Sequence, residues 1–388
     1  MSDQKLENQV ISAIEATIGK TASPVPLHEP RFSGNEWAYV RDCLNTSFVS
    51  SVGRYVDRFE RMLAEYTGMR RAIAVVNGTA ALHSSLVFAG VGVGDEVLVP
   101  ALTFVATANA VAYTGAVPHF VDSEEKTLGL DPVKLESHLA GICKKNRNRS
   151  INRKTGRTIR AIIPMHTFGH PVDLDGLYDL CRSFSITMIE DAAEALGTLY
   201  KRRHVGNWGS MSIVSFNGNK ILTTGGGGAI LTNDHSVADG LKHLTTTAKR
   251  SHRWTYVHDQ VAYNYRMPNL NAALGCAQIE KLPQKIEKKR RLAERYATEF
   301  NSIEGLRFFT EPDFARSNYW LNAILLDPVH HNRRDSVLEA THRSGYLTRP
   351  TWTLMHRLPM YTESPRMDLV CAESIDARLI NLPSSEHL

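Results

Sequence analysis

Lys220 is the only charged residue in the stretch SFNGNKILTTGGGG (215–228), and four consecutive glycines follow it closely. A lysine so placed suits a phosphate-gripping loop, a flexible hairpin, or the covalent seat of a carbonyl cofactor. The first option fails on its neighbours. A P-loop lysine follows glycine and precedes Ser or Thr, whereas Lys220 lies between Asn219 and Ile221. A hairpin accounts for the glycines but leaves a lone lysine unexplained. A poorly solvated amine there is a nucleophile able to form a Schiff base with an aldehyde.

Two more polar signatures follow apolar runs. In VVNGTAALH (75–83) a Gly-Thr turn leads into a helical pattern. The amides of Gly78, Thr79 and Ala80, the Thr79 hydroxyl and the helix dipole would together bind a phosphate. Thr79 is equally suited to be a plain helix cap. In MIEDAAEALG (188–197) Asp191 ends an apolar run, and Glu194 follows shortly after it. A buried aspartate is costly unless a cation pairs with it, and a protonated pyridine nitrogen would do so. A second helix cap is the plain alternative. Jointly, Lys220, Asp191 and a phosphate cup are the fixtures that pyridoxal 5'-phosphate needs: an amine, a partner for the ring nitrogen, and an anchor for the tail.

The elements that must carry these residues alternate along the first two-thirds of the chain. Strands are expected at 71–76, 95–100, 116–122, 160–165, 186–191, 211–216 and 229–233, all short, apolar and rich in β-branched residues. Helical patterns at 79–90, 106–115 and 174–184 lie between them. That rhythm predicts an α/β fold with a mostly parallel central sheet and helices on both faces. Such sheets place their sites at the carboxyl ends of the strands. A charged helix at 281–303, a strand at 319–326 and a helix at 333–345 then suggest a small C-terminal α/β domain. The expected division is 1–48 as an N-terminal arm and helix, 49–280 as the large domain, and 281–388 as the small one.

Composition narrows the class. With 43% hydrophobic and 22% charged residues, the chain is neither disordered nor membrane-spanning, and it has no apolar run near about 18 residues. Its first twenty residues lack a signal-peptide core. The five scattered cysteines form no CxxC pair, which suits a reducing cytosol. A cytoplasmic enzyme is expected. The net charge of +5 is uneven, since 144–160 holds eight Lys and Arg and no acid. A nucleic-acid-binding module using that segment is the rival reading. Without aromatics between the charges, a solvated loop is preferred.

The chain resembles, over nearly its whole length, the DegT/DnrJ/StrS family of nucleotide-sugar aminotransferases. The matching stretches include VVNGTAALH, LTFVATANAV, HTFGHPVDLDGL, IEDAAEALG, VGNWGSMSIVSFNGNKILTTGGGGAILTND and YNYRMPNLNAALGCAQ. PLHEPRFSGNE, SFVSSVGRYVDRFE, LTRPTWTLMHRLPMY and the terminal NLPSS look closer to one branch. Its enzymes aminate UDP-4-keto-6-deoxy-N-acetylglucosamine on the way to legionaminic acid or bacillosamine. The resemblance implies a fold-type I pyridoxal-phosphate transferase working as a homodimer with shared active sites. It makes Lys220 the cofactor-bearing lysine and Asp191 the partner of the ring nitrogen. Gly78, Thr79 and Ser215 would hold the phosphate, Phe104 would stack on the ring, and Asn264 would reach the phosphate of the neighbouring subunit. Glu194 departs from the Gln or His of many relatives; it would meet the cofactor or a substrate amine. His356, in the branch-like stretch, is a substrate candidate.

The reaction so implied moves an amino group from L-glutamate to a UDP-linked 4-keto-6-deoxy-N-acetylhexosamine. A dehydratase or deoxygenase on the same fold is disfavoured, because such relatives replace the lysine with histidine. No metal is expected: Gly169 and Pro171 spoil a helical pair of His166 and His170.

Overall fold

The apolar runs become strands in the computed structural model, which describes residues 5–20, 22–146 and 149–388. The chain opens with Lys5–Ile18 (α1), Glu36–Asn45 (α2), Arg54–Thr67 (α3), Arg71–Val75 (β1), Gly78–Phe88 (α4), Asp95–Pro100 (β2), Val105–Tyr113 (α5) and Val117–Val121 (β3). Pro132–Ile142 (α6), Cys143–Asn146 (β4), Arg149–Asn152 (β5), Thr158–Ile162 (β6), Leu174–Phe184 (α7) and Thr187–Asp191 (β7) follow. Then come Leu199–Tyr200 (β8), Arg203–His204 (β9), Met211–Ser215 (β10), Gly228–Thr232 (β11) and His235–Thr245 (α8). The C-terminal part holds Asn269–Phe300 (α9), Leu306–Phe308 (β12), Ala315–Arg316 (β13), Asn322–Leu326 (β14), Arg334–Arg343 (α10), Val370–Arg378 (α11) and Leu379–Leu382 (β15).

The main sheet runs β1-β11-β10-β7-β6-β2-β3. Strands β10, β7, β6, β2 and β3 are mutually parallel, while β11 lies antiparallel between β1 and β10. This is the mixed, mostly parallel sheet of fold-type I. Its strands are buried along nearly their whole lengths, which is why they read as unbroken apolar runs. Because β1, β2, β6, β7 and β10 point the same way, the turns after them gather at one edge of the sheet. Asn77, Thr103, Met165, Asp191 and Ser215 all sit in or just before those turns.

Side chains at the helix starts explain several boundaries. Asn77 caps α4, Asp131 caps α6 with Pro132 behind it, and Asp173 and Asp234 cap α7 and α8. A second core joins Val10 and Ile14 of α1 to Tyr296 and Phe300 of α9, to Ile324 of β14 and to Val337 of α10. The expected division at 280/281 falls inside α9, which is one continuous helix of 32 residues through Pro283. Among the described residues no helix is long and apolar enough to cross a membrane.

The basic segment is not the solvated loop expected. Strands β4 and β5 form an antiparallel hairpin whose second strand pairs with the start of β6; Arg147 lies outside the described residues. The reason is Glu96, fully buried at the start of β2. Its carboxylate accepts hydrogen bonds from His119 Nδ1 at 2.9 Å, Asn152 Nδ2 at 2.9 Å and Thr155 Oγ1 at 2.5 Å. Burial works against the charge, yet these donors hold the carboxyl below its ordinary range.

Candidate active site

The strand-end turns enclose a cavity of about 350 Å³, room enough for a pyridine ring and a phosphate. Gly78, Thr79, Phe104, Asp191, Glu194, Ser215 and Lys220 line it, as do Asn77, Thr107, Trp320 and Trp352.

The last two glycines of the run are explained by packing, and Gly225 by its left-handed φ of 78°. A Cβ on Gly228 would lie 2.6 Å from the carbonyl carbon of Asn77, and one on Gly227 would lie 2.3 Å from Thr224 Oγ1. Strand β11 thus lets the β1 turn close against it. A Cβ on Gly78 would meet that of Ser215 at 3.1 Å, so the turns after β1 and β10 nearly touch. Asn77, not Thr79, is the cap: its Oδ1 accepts the Ala80 N–H at 2.7 Å. That corrects one expectation, because the Ala80 amide is already spent and Ala80 does not line the cavity.

Asp191 caps no helix either, since turns follow β7. Its Oδ2 accepts from Thr107 Oγ1 at 2.8 Å and its Oδ1 from the Ala193 N–H at 3.1 Å. Burial raises its proton affinity, and Thr107, Ala193, Lys220 and His166 oppose that rise. Both of its hydrogen-bond partners are neutral donors, so the charge is left for a cation above it. A protonated ring nitrogen would fit there.

Lys220 Nζ lies 3.1 Å from Glu194 Oε1 and 4.0 Å from the centre of the Trp320 ring. The other oxygen of Glu194 accepts the Phe168 N–H at 2.9 Å, and Phe168 itself takes a left-handed φ of 56° to offer it. Burial pushes the Glu194 carboxyl up to about 7, with the Lys220 ammonium pulling the other way. Asn318 ties both walls of this corner: its Oδ1 accepts the Trp320 N–H, and its Nδ2 donates to the Glu194 carbonyl at 2.9 Å. Phe104 presents a half-exposed ring at the cavity wall, edge-on to Trp352 at 6.3 Å between ring centres. A reactive amine, a buried carboxylate, an aromatic face and a glycine-lined cup therefore share one cavity, and the donor set fits pyridoxal phosphate.

Other candidates lie elsewhere. His356 does not line the cavity; its Nε2 pairs with Glu373 at 3.1 Å, so the substrate role expected for it has no support here. Asn264 is exposed outside the chain's own cavity, with its Oδ1 accepting from Arg266 at 3.1 Å. His166 is committed to Glu190 at 3.1 Å, and His170 packs against Phe309 and Tyr319, where burial lowers its pKa to about 3. Sequence reasoning missed Asn77, Thr107, Trp320 and Trp352. Of these, the Thr103–Thr107 pair at helical spacing beside Phe104 was the most visible signal.

Sheet and site together define a fold-type I pyridoxal-phosphate-dependent transferase. Residues 30–388 match the DegT/DnrJ/EryC1/StrS aminotransferase family, and the chain belongs to it as a pyridoxal-phosphate-dependent aminotransferase. It is 37% identical over 366 residues to a GDP-perosamine synthase of Escherichia coli O157:H7, covering 93% of each chain. A GDP-perosamine synthase of Caulobacter vibrioides is 38% identical, again with 93% of each covered. Among solved structures, the aminotransferase TlmJ from Streptoalloteichus hindustanus superposes with a TM-score of 0.84 at 26% identity, over 94% of this chain and 95% of that one.

Proposed function

We propose that the protein transfers an amino group from L-glutamate to the 4-keto carbon of a nucleotide-linked 6-deoxy sugar and releases the 4-amino sugar nucleotide. Family membership, with full-length relatives that make an amino-sugar nucleotide, carries this reading. The bound cofactor supplies a carbonyl to receive the amine and a ring that accepts electrons. The chain's residues do the rest. Lys220 holds the cofactor and then moves protons at the reacting carbon, Asp191 keeps the ring nitrogen protonated, and Phe104 fixes the ring plane. Gly78, Thr79 and Ser215 anchor the phosphate. Glutamate leaves as its keto acid, so the amine gained by the sugar balances the one lost by the donor.

For the carrier nucleotide we favour uridine diphosphate on an N-acetylated sugar, on the strength of the branch-like stretches at 26–36, 47–60 and 347–361. The names of the GDP-perosamine synthases favour a GDP-linked sugar instead. Incubation with glutamate and UDP-, GDP- or dTDP-linked 4-keto-6-deoxy sugars, with products identified by NMR, separates the two. The UDP-linked N-acetyl substrate should turn over fastest. A GDP preference would move the assignment to the second reading, and no amine product from any of them would sink the function. We also read the enzyme as a homodimer in which Asn264 serves the neighbouring subunit's site. Its position outside its own cavity supports this, as do the exposed Trp37, Phe48 and Val52.

A further inference from the structure

Thr107 is buried in the first turn of α5, with its Oγ1 2.8 Å from Asp191 Oδ2 and 3.1 Å from Thr103 Oγ1. A hydroxyl has one proton, and an ionised carboxylate can only accept. With Asp191 ionised, the Thr107 proton goes to Asp191, and its lone pair is free to accept from Thr103. Two hydroxyls then point their dipoles at the carboxylate and reinforce each other. A proton on Asp191 Oδ2 would weaken that oxygen as an acceptor, and if the chain reversed to receive it the Thr103 proton would be left for the Met165 sulfur at 2.8 Å, a weak acceptor. The Ala193 amide on the other oxygen cannot reverse at all. These donors favour the charged form and work against burial, which on balance raises the carboxyl's proton affinity.

We infer that Thr107, backed by Thr103, is a positioning residue that keeps Asp191 ionised and aimed at the cofactor's ring nitrogen. The inference rests on the proposed pairing of Asp191 with that nitrogen. The charged groups facing Asp191 are Lys220, His166 and Glu194. Lys220 is paired to Glu194 and His166 to Glu190, and Glu194 itself repels the charge. Once Lys220 holds the cofactor, its own cation is spent there, so Thr107 is left as the side-chain donor. The same loop carries Phe104, so one short segment, 103–107, sets both the stacking face and the carboxylate.

The test is the dissociation constant for pyridoxal 5'-phosphate of T107V, T107S and D191A, measured on apoprotein across a pH series. T107V keeps the shape and removes the hydroxyl; it should weaken binding about tenfold at neutral pH and move acid loss of the cofactor up by about one pH unit. T107S should bind like wild type. A wild-type pH profile in T107V overturns the inference, as does a T107S variant as weak as T107V, because that would make the role one of shape. If D191A itself binds like wild type at every pH, the pairing of Asp191 fails, and the inference falls with it for a different and visible reason.

Discussion

The corner formed by Lys220, Glu194 and Trp320 sets a half-buried cation against a buried carboxyl and an aromatic face, and its charge balance decides how the apoprotein behaves. Burial pushes Glu194 up to about 7, whereas in an unfolded chain the same group loses its proton near about 4.3. Between those limits the folded protein holds a proton that the unfolded chain has released, so this group's contribution makes stability fall as pH rises, levelling off above about 7. E194Q has no such proton. In thermal melts of apoprotein at about pH 5 and about pH 7.5, wild type should lose ground relative to E194Q at the higher pH. A pH-independent gap would show that Glu194 stays ionised throughout. Lys220 and Asp191 were legible in the chain because each is a charge where apolar neighbours make charge costly. Ala80 was misread for the opposite reason. Which backbone amide is free depends on the cap, and Asn77, a favoured cap residue three positions before Ala80, competes with Thr79 for that role.

At the scale of elements, the hairpin β4–β5 shows why charge counting misleads. Eight cations in 144–160 suggested a surface with no structural task, yet Asn152, Thr155 and Arg157 close over a carboxylate about sixty residues earlier. Nothing local marks Glu96 as buried; the pairing of β2 with both β3 and β6 puts it there. Removing that acceptor leaves His119, Asn152 and Thr155 without it, so E96A should lose about 2–4 kcal/mol in urea unfolding at neutral pH. The carboxyl is held below its ordinary range, so its contribution is present above about pH 4.3 and fades as the folded-state group protonates. The gap between wild type and E96A should therefore narrow in acid. A difference under about 0.5 kcal/mol at neutral pH would mean that the hairpin does not depend on this carboxylate. Helix α9 makes the complementary point. Pro283 lies inside the helix, where packing on α1, α2 and α3 outweighs one missing hydrogen bond.

Across the whole molecule, the strand alternation made the sheet and its catalytic edge legible, because fully buried strands leave a compositional trace. What lies beyond one chain leaves a fainter one. Asn264 sits about forty residues after Lys220, exposed, in a segment that also exposes Trp254, Tyr256 and Val261. Aromatic and aliphatic side chains left in water are the usual mark of a surface that another protein covers. If a second copy covers it, Asn264 reaches across, and each site is built from two chains. Lys220→Ala and Asn264→Ala homodimers should then each be impaired, the first by about a thousandfold or more in turnover. Co-refolded together, they form heterodimers in which one site receives both native residues and the other neither. Turnover should return towards half of wild type per heterodimer. If Asn264 instead serves its own chain, each site in the mixture keeps one defect and activity stays at the level of the parents. Recovery with heterodimers demonstrated supports the shared site, and heterodimers without recovery exclude it.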